Sequence, residues 1–140
     1  MNIGHFLCVV GVLAVSPLLA QTSAPLPGRL AGQYDWHNST NRRISAISVE
    51  LSEITAEGEN VKGVLSAYRS PAGNCVSENT AFNGTYKDGA LSIKSGRLKS
   101  QFADGRPCGG IAIEVKLDGG RASGILKAGS EVSSIYLEAK

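Results

Sequence analysis

Ile111-Ala112-Ile113-Glu114-Val115-Lys116-Leu117 runs into Asp118-Gly119-Gly120 and returns through Arg121-Ala122-Ser123-Gly124-Ile125-Leu126-Lys127-Ala128. In the first arm every odd position is apolar and every even one is small or charged. That is the period of a half-buried strand with one dry face and one wet face. The Asp-Gly-Gly between the arms tolerates the positive φ that tight hairpins impose, so the stretch reads as two antiparallel strands.

The same grammar recurs outward. Ile47-Ser48-Val49-Glu50-Leu51, Leu91-Ser92-Ile93 and Ile135-Tyr136-Leu137 alternate in the same way. Turn-forming residues separate the runs at Glu57-Gly58-Glu59-Asn60, Lys87-Asp88-Gly89, Asp104-Gly105 and Ala128-Gly129-Ser130. From Pro27 onward no apolar pattern of period 3.6 is sustained, and no connection has the dozen residues that a parallel crossover requires. Nine segments read as strands: 30–36, 44–54, 60–69, 80–87, 89–95, 97–102, 110–117, 121–128 and 132–139. The expected fold is all-β, a small antiparallel up-and-down barrel of eight or nine strands, because closure removes the exposed edges. A β-sandwich is the alternative. Gly32, Gly63, Gly84 and Gly124 fall inside strand patterns, where they are expected to mark bends or bulges that let the sheet coil.

Met1 to Ala20 contains no Asp, Glu, Lys or Arg and carries an apolar run from Phe6 to Val15. It reads as a secretory signal cleaved after Ala20, with Ala24 as a second site, and it is too short for a membrane span. Residues 21–28, with Pro25 and Pro27, read as a short disordered leader, and 29–140 as one domain. The expected location is therefore secreted or periplasmic, with no membrane insertion of the mature form.

Cleavage changes the inventory of reactive groups. Of three cysteines, Cys8 leaves with the signal, and Cys75 and Cys108 remain as a disulfide candidate in an exported chain. The two are expected to lie in irregular connections, Cys75 within 69–79 and Cys108 within 103–110. His5 leaves as well, so His37 is the last histidine. Common zinc sites need two or three imidazoles, and no metal or cofactor is expected. No nucleophile elbow, HExxH helix, phosphate loop or dinucleotide fingerprint occurs. The formal net charge is +2, with acids and bases interspersed, which gives no field for nucleic acid. Lys94, Arg97 and Lys99 form the tightest basic cluster, with Arg106 further along, read as a solvated strand face or as a docking patch for an acidic partner.

Two short phrases resemble the avidin and streptavidin family. Gly32-Gln33-Tyr34 is similar to that family's first-strand Gly-x-aromatic phrase, and Tyr68-Arg69-Ser70-Pro71-Ala72-Gly73-Asn74 is similar to a biotin-contacting stretch. The resemblance implies an eight-stranded barrel. Carried over by position, it would give Tyr68 and Ser70 hydrogen bonds to a ureido group and Asn74 a contact with the ligand's tail. The family's box of several tryptophans has no such counterpart here, because Trp36 is the one tryptophan and stands where the family has a binding asparagine.

The expected function is that of an exported, non-catalytic binding module. Its loops, around Trp36, Cys75 and Cys108, dock a protein partner such as an enzyme to be inhibited, with Tyr34, Trp36, Tyr68, Ser70 and Asn74 as candidate binding residues. A small-molecule binder of avidin or lipocalin type is the alternative. A hydrolase working through Asp35, Glu78 or Asp104 is a third reading that no paired motif supports.

Overall fold

The structure, a computed structural model, describes residues 25–37, 43–67 and 74–140. The signal segment, residues 21–24 of the leader, Tyr68 and Ser70 lie outside the described residues. Nine strands follow one another: β1 (Leu30–His37), β2 (Ile44–Glu57), β3 (Asn60–Ala67), β4 (Cys75–Lys87), β5 (Ala90–Ser95), β6 (Lys99–Ser100), β7 (Ala112–Asp118), β8 (Arg121–Ala128) and β9 (Glu131–Ala139). Every pairing is antiparallel, in the order β3-β2-β1-β9-β8-β7-β5-β4, and β3 also pairs with β4. That last ladder closes an eight-stranded barrel.

β6 is the ninth strand, and it is shorter than the 97–102 expected from the sequence. Lys99 and Ser100 pair with Val76 and Cys75 of β4, so β6 resumes the line of β5 along β4 after a break at 96–98. The start of β4 is a second correction. Cys75 to Asn79, expected as loop, extend β4 toward its N-terminus, because Ser77 pairs with Ala67 and the Ser77 hydroxyl donates to the Leu65 carbonyl at 2.6 Å. A third concerns the leader: Leu26 packs on the core, and the Gly28 carbonyl accepts a hydrogen bond from the Ile54 amide at 3.0 Å. The end of that segment is docked, because Leu26 gains apolar contact under the barrel and Ile54 needs an acceptor where β2 leaves the β1 ladder.

Alternation fills the barrel. Leu30 and Tyr34 on β1, Leu51 on β2, Leu65 on β3, Leu91 and Ile93 on β5, Ile113 on β7, Leu126 on β8, and Ile135 and Leu137 on β9 are all essentially inaccessible. An eight-stranded barrel is just wide enough for side chains to fill it. The large Tyr34 ring occupies interior volume that a hollow barrel would leave to a ligand.

Closing so small a ring requires strong coiling, and glycines permit it. A Cβ added at Gly84 would fall on the Ser92 carbonyl oxygen of β5, and Gly32 and Gly124 stand in the same relation to Tyr136 of β9 and Glu114 of β7. Register runs continuously through all three, so they mark close backbone approach and not bulges. Gly63 has a different partner. The Phe82 ring, on the residue paired with it, lies 2.5 Å from where its Cβ would be. The bulges fall elsewhere: each register shift inserts one extra residue, in β2 beside Glu53 and in β4 beside Asn79, both with φ of 51°.

Two outcomes follow for stability. Gly84→Ala is expected to cost at least about 2–3 kcal/mol in chemical denaturation, since the obstacle is backbone that cannot rotate away. Gly109→Ala, with no neighbour within 4 Å of the new methyl, is expected to be near neutral.

Candidate functional site at the loop end of the barrel

The two ends of the barrel differ in construction. At one end the hairpins β2–β3, β4–β5 and β7–β8 close through two-residue turns, and the chain passes from Gly28 into β1 beside the exit of β9. At the other end lie the β1–β2, β3–β4 and β5–β7 connections, together with the short β8–β9 turn. Long connections held by a rigid scaffold are where binding groups concentrate.

The β5–β7 connection is folded onto the barrel wall. Leu98, buried, donates its amide to the Gly109 carbonyl at 3.1 Å, and the Gln101 amide donates to the Asn74 carbonyl at 2.8 Å. The Ser100 hydroxyl donates to the Arg106 carbonyl, and the Arg106 amide donates to the Asp104 carboxylate at 3.1 Å. These bonds fold 98–109 into a flap whose tip is Ala103-Asp104-Gly105. A Cys75–Cys108 disulfide fastens the flap to the start of β4, with both cysteines buried. The bridge therefore joins a strand to a connection, not two loops.

Between the flap and the β8–β9 turn is a cleft of about 290 Å³, lined by Leu98, Phe102, Arg106, Pro107, Ile111 and Ala128 among others. The Arg106 guanidinium lies 4.6 Å over the Phe102 ring and 2.6 Å from the Asp104 carboxylate. This holds a cation at the rim over an apolar floor. Phe102 and Pro107 were not singled out from sequence. The signal was present, since an aromatic just before an Asp-Gly turn, followed by Arg-Pro, marks a loop with side chains to spare.

The expected binding residues separate on inspection. Tyr34 is fully buried in the core, with no surface to offer a macromolecular partner. Trp36, two residues along β1 and in the same inward phase, is partly buried against the core where β1 reaches the loop end. Asn74 is exposed beside Cys75. Trp36, Asn74 and the disulfide thus share the loop end. Tyr68 and Ser70 lie outside the described residues.

The carboxylates considered for hydrolysis sit on different elements. Glu78 on β4 pairs with Lys99 at 3.4 Å, Asp104 pairs with Arg106, and Asp35 is on the outer face of β1. Among the described residues no group of three His, Cys, Asp or Glu side chains could hold a metal ion, and no helix is long and apolar enough to cross a membrane. No protein-family model, no curated protein and no solved structure matches the chain.

The resolved electrostatic perturbation lies near the opposite end. Arg29 meets Glu50 through two 2.9 Å hydrogen bonds. Those bonds hold the Glu50 carboxyl below its ordinary range against a smaller opposing effect of desolvation, and they raise the Arg29 guanidinium. With the folded value depressed, the pair stabilises above the unfolded carboxylate pKa, and that stability is lost as pH falls through the folded value. Both groups reach solvent, so the effect is small. In thermal melts, wild type is expected to exceed Glu50→Gln at neutral pH and to converge with it in acid.

Proposed function

We propose that this protein is a non-catalytic binding module, exported to the periplasm or the cell exterior, that docks a protein partner through the loop end of its barrel. The observation that carries the reading is a filled interior combined with a flap covalently tied to the wall. Tyr34 and nine Leu and Ile side chains take up the inward positions among the described residues, which favours recognition on the outer surfaces over enclosure of a small ligand. The loop-end cleft holds about 290 Å³ and is open on one side.

What that end offers instead is an ordered rim. Pinning the flap at Cys108 lowers the entropy that binding would otherwise have to overcome. Partly buried Trp36 and Phe102, with Arg106, are residue types over-represented among the side chains that dominate protein interfaces. Lys94, Arg97, Lys99 and Arg106 stand along the same segment. Glu78 and Asp104 answer Lys99 and Arg106, leaving a basic surplus that favours an acidic partner surface. The disulfide also supports an oxidising location.

Immobilised protein is expected to retain a partner from the native extracellular or periplasmic fraction. Arg106→Glu and Asn74→Glu, both at exposed positions, are expected to weaken retention by roughly tenfold or more, with the melting temperature little changed. A metabolite that raises the melting temperature, with no protein retained, would overturn the reading.

The bridge supports the site through the flap. In the chain-entropy model a loop with a sequence separation of 33 contributes roughly 3.5 to 4 kcal/mol. The Cys75→Ser, Cys108→Ser double variant is expected to lose about that much stability in urea titration and to lose partner retention with it.

A further inference from the structure

At the loop end the barrel parts between β1 and β9, and we infer that this seam accepts an extended peptide strand, supplied by the protein partner. The inference rests on the docking reading above and names how the partner is held. The β1–β9 ladder ends at Tyr34 and Ile135. Beyond that point β1 runs on to His37 along β2, and β9 reaches back to Glu131 along β8. Each strand thus keeps its neighbour on the far side and loses the one across the seam. Among the described residues, 35–37 and 131–134 are facing strand edges with no ladder between them.

Alternation fixes which backbone groups face the gap. In an antiparallel sheet successive residues turn their N–H and C=O toward opposite neighbours. The Ala139 amide donates to the Gly120 carbonyl on the β8 side at 2.8 Å, and the Lys140 amide donates to the Arg29 carbonyl on the β1 side at 3.2 Å. Register along β9 is continuous, so its odd residues bond β8 and its even ones face β1. The backbone N–H and C=O of Val132 therefore point into the seam. The same count along β1 from Arg29 puts those of His37 on the opposite lip.

Unpaired edge groups select their occupant, because an extended backbone is what repeats their spacing. Four residues at about 3.3 Å give a seam roughly 13 Å long, enough for a segment of about four residues. The side chains agree with such a guest. Ile44, paired with His37, and Val132, paired with Lys127, stand outward on the two lips and are exposed at 62% and 56%. Partly buried Trp36 and buried Ser133 take the inner side. Asp35 stands at the closed end, Glu131 at the open end, and Lys127 is held by Glu114 at 3.3 Å. The guest is therefore an uncharged strand whose alternate apolar side chains lie between Ile44 and Val132. A second copy of the barrel has no long edge to lend outside this same seam, so the strand comes from the partner.

NMR of the isotope-labelled, disulfide-bonded protein, with a blocked heptapeptide of alternating valine and threonine as probe, tests it. In dilute free protein the Val132 amide is expected to exchange rapidly with solvent. The peptide is expected to shift the Val132 and His37 amides, to half-saturate at about 1 mM or below, and to slow Val132 exchange by roughly tenfold or more. The same peptide N-methylated at every valine is expected to bind at least about tenfold more weakly. Val132→Pro removes the seam-facing N–H without touching a bond to β8, and is expected to cut peptide binding and partner retention by roughly tenfold. Val132→Thr keeps that N–H and is expected to retain both. A Val132 amide protected in dilute free protein, protection that grows with protein concentration alone, or equal binding of the methylated and unmethylated peptides overturns the inference. The methylated peptide decides on wild type, whatever Val132→Pro does to folding. Partner retention that falls with Arg106→Glu but not with Val132→Pro overturns the inference and leaves the docking reading standing. Peptide binding at the seam with no partner retained supports the strand site and overturns the docking reading.

Discussion

Ring closure between β3 and β4 is the constraint on which the rest of this molecule depends. Eight strands bent into so narrow a tube must coil until backbone meets backbone, and side chains at the tightest crossings have nowhere to go. Gly32, Gly84 and Gly124 stand at such crossings, each against a neighbouring strand's carbonyl oxygen. Where the chain needs a corner in place of a coil, it inserts one residue, beside Glu53 in β2 and beside Asn79 in β4. At Gly63 the ring of Phe82 covers the space that a side chain would have taken. Closure by these means leaves no long free edge and leaves little volume inside.

Tyr34 and nine Leu and Ile side chains occupy the inward positions and are essentially inaccessible. The binding reading proposed above therefore places recognition on the outer surfaces. The loop end is the surface on which the chain spends covalent and hydrogen-bonded order: the 75–108 bridge, the bonds from Leu98, Gln101 and Ser100, and the Arg106–Asp104 pair. Ordering so exposed a flap costs conformational entropy, and the bridge lowers that cost by restricting the unfolded chain.

Period-2 alternation was strong enough in the sequence to place nearly every strand. The reason is that most inward positions here are apolar or glycine, with Ser77 and Ser133 as buried exceptions, and each hairpin carries its own turn residues. Legibility failed where the determinant was non-local. Cys75 to Asn79 contain polar residues that look like loop, and they become strand because Ala67 and Ser100 supply ladder partners distant in sequence. The stretch 97–102 looks like strand, yet mostly forms flap because Leu98 turns inward to Gly109. The interior glycines were recognised as coiling devices, but whether a glycine marks a bulge or a close approach depends on the neighbouring strand. The loop end was legible through Trp36, Asn74 and the cysteines. Tyr34, a candidate binding residue on the sequence, has inward parity and lies fully buried in the core. Phe102 acquires its role only from the flap that seats it.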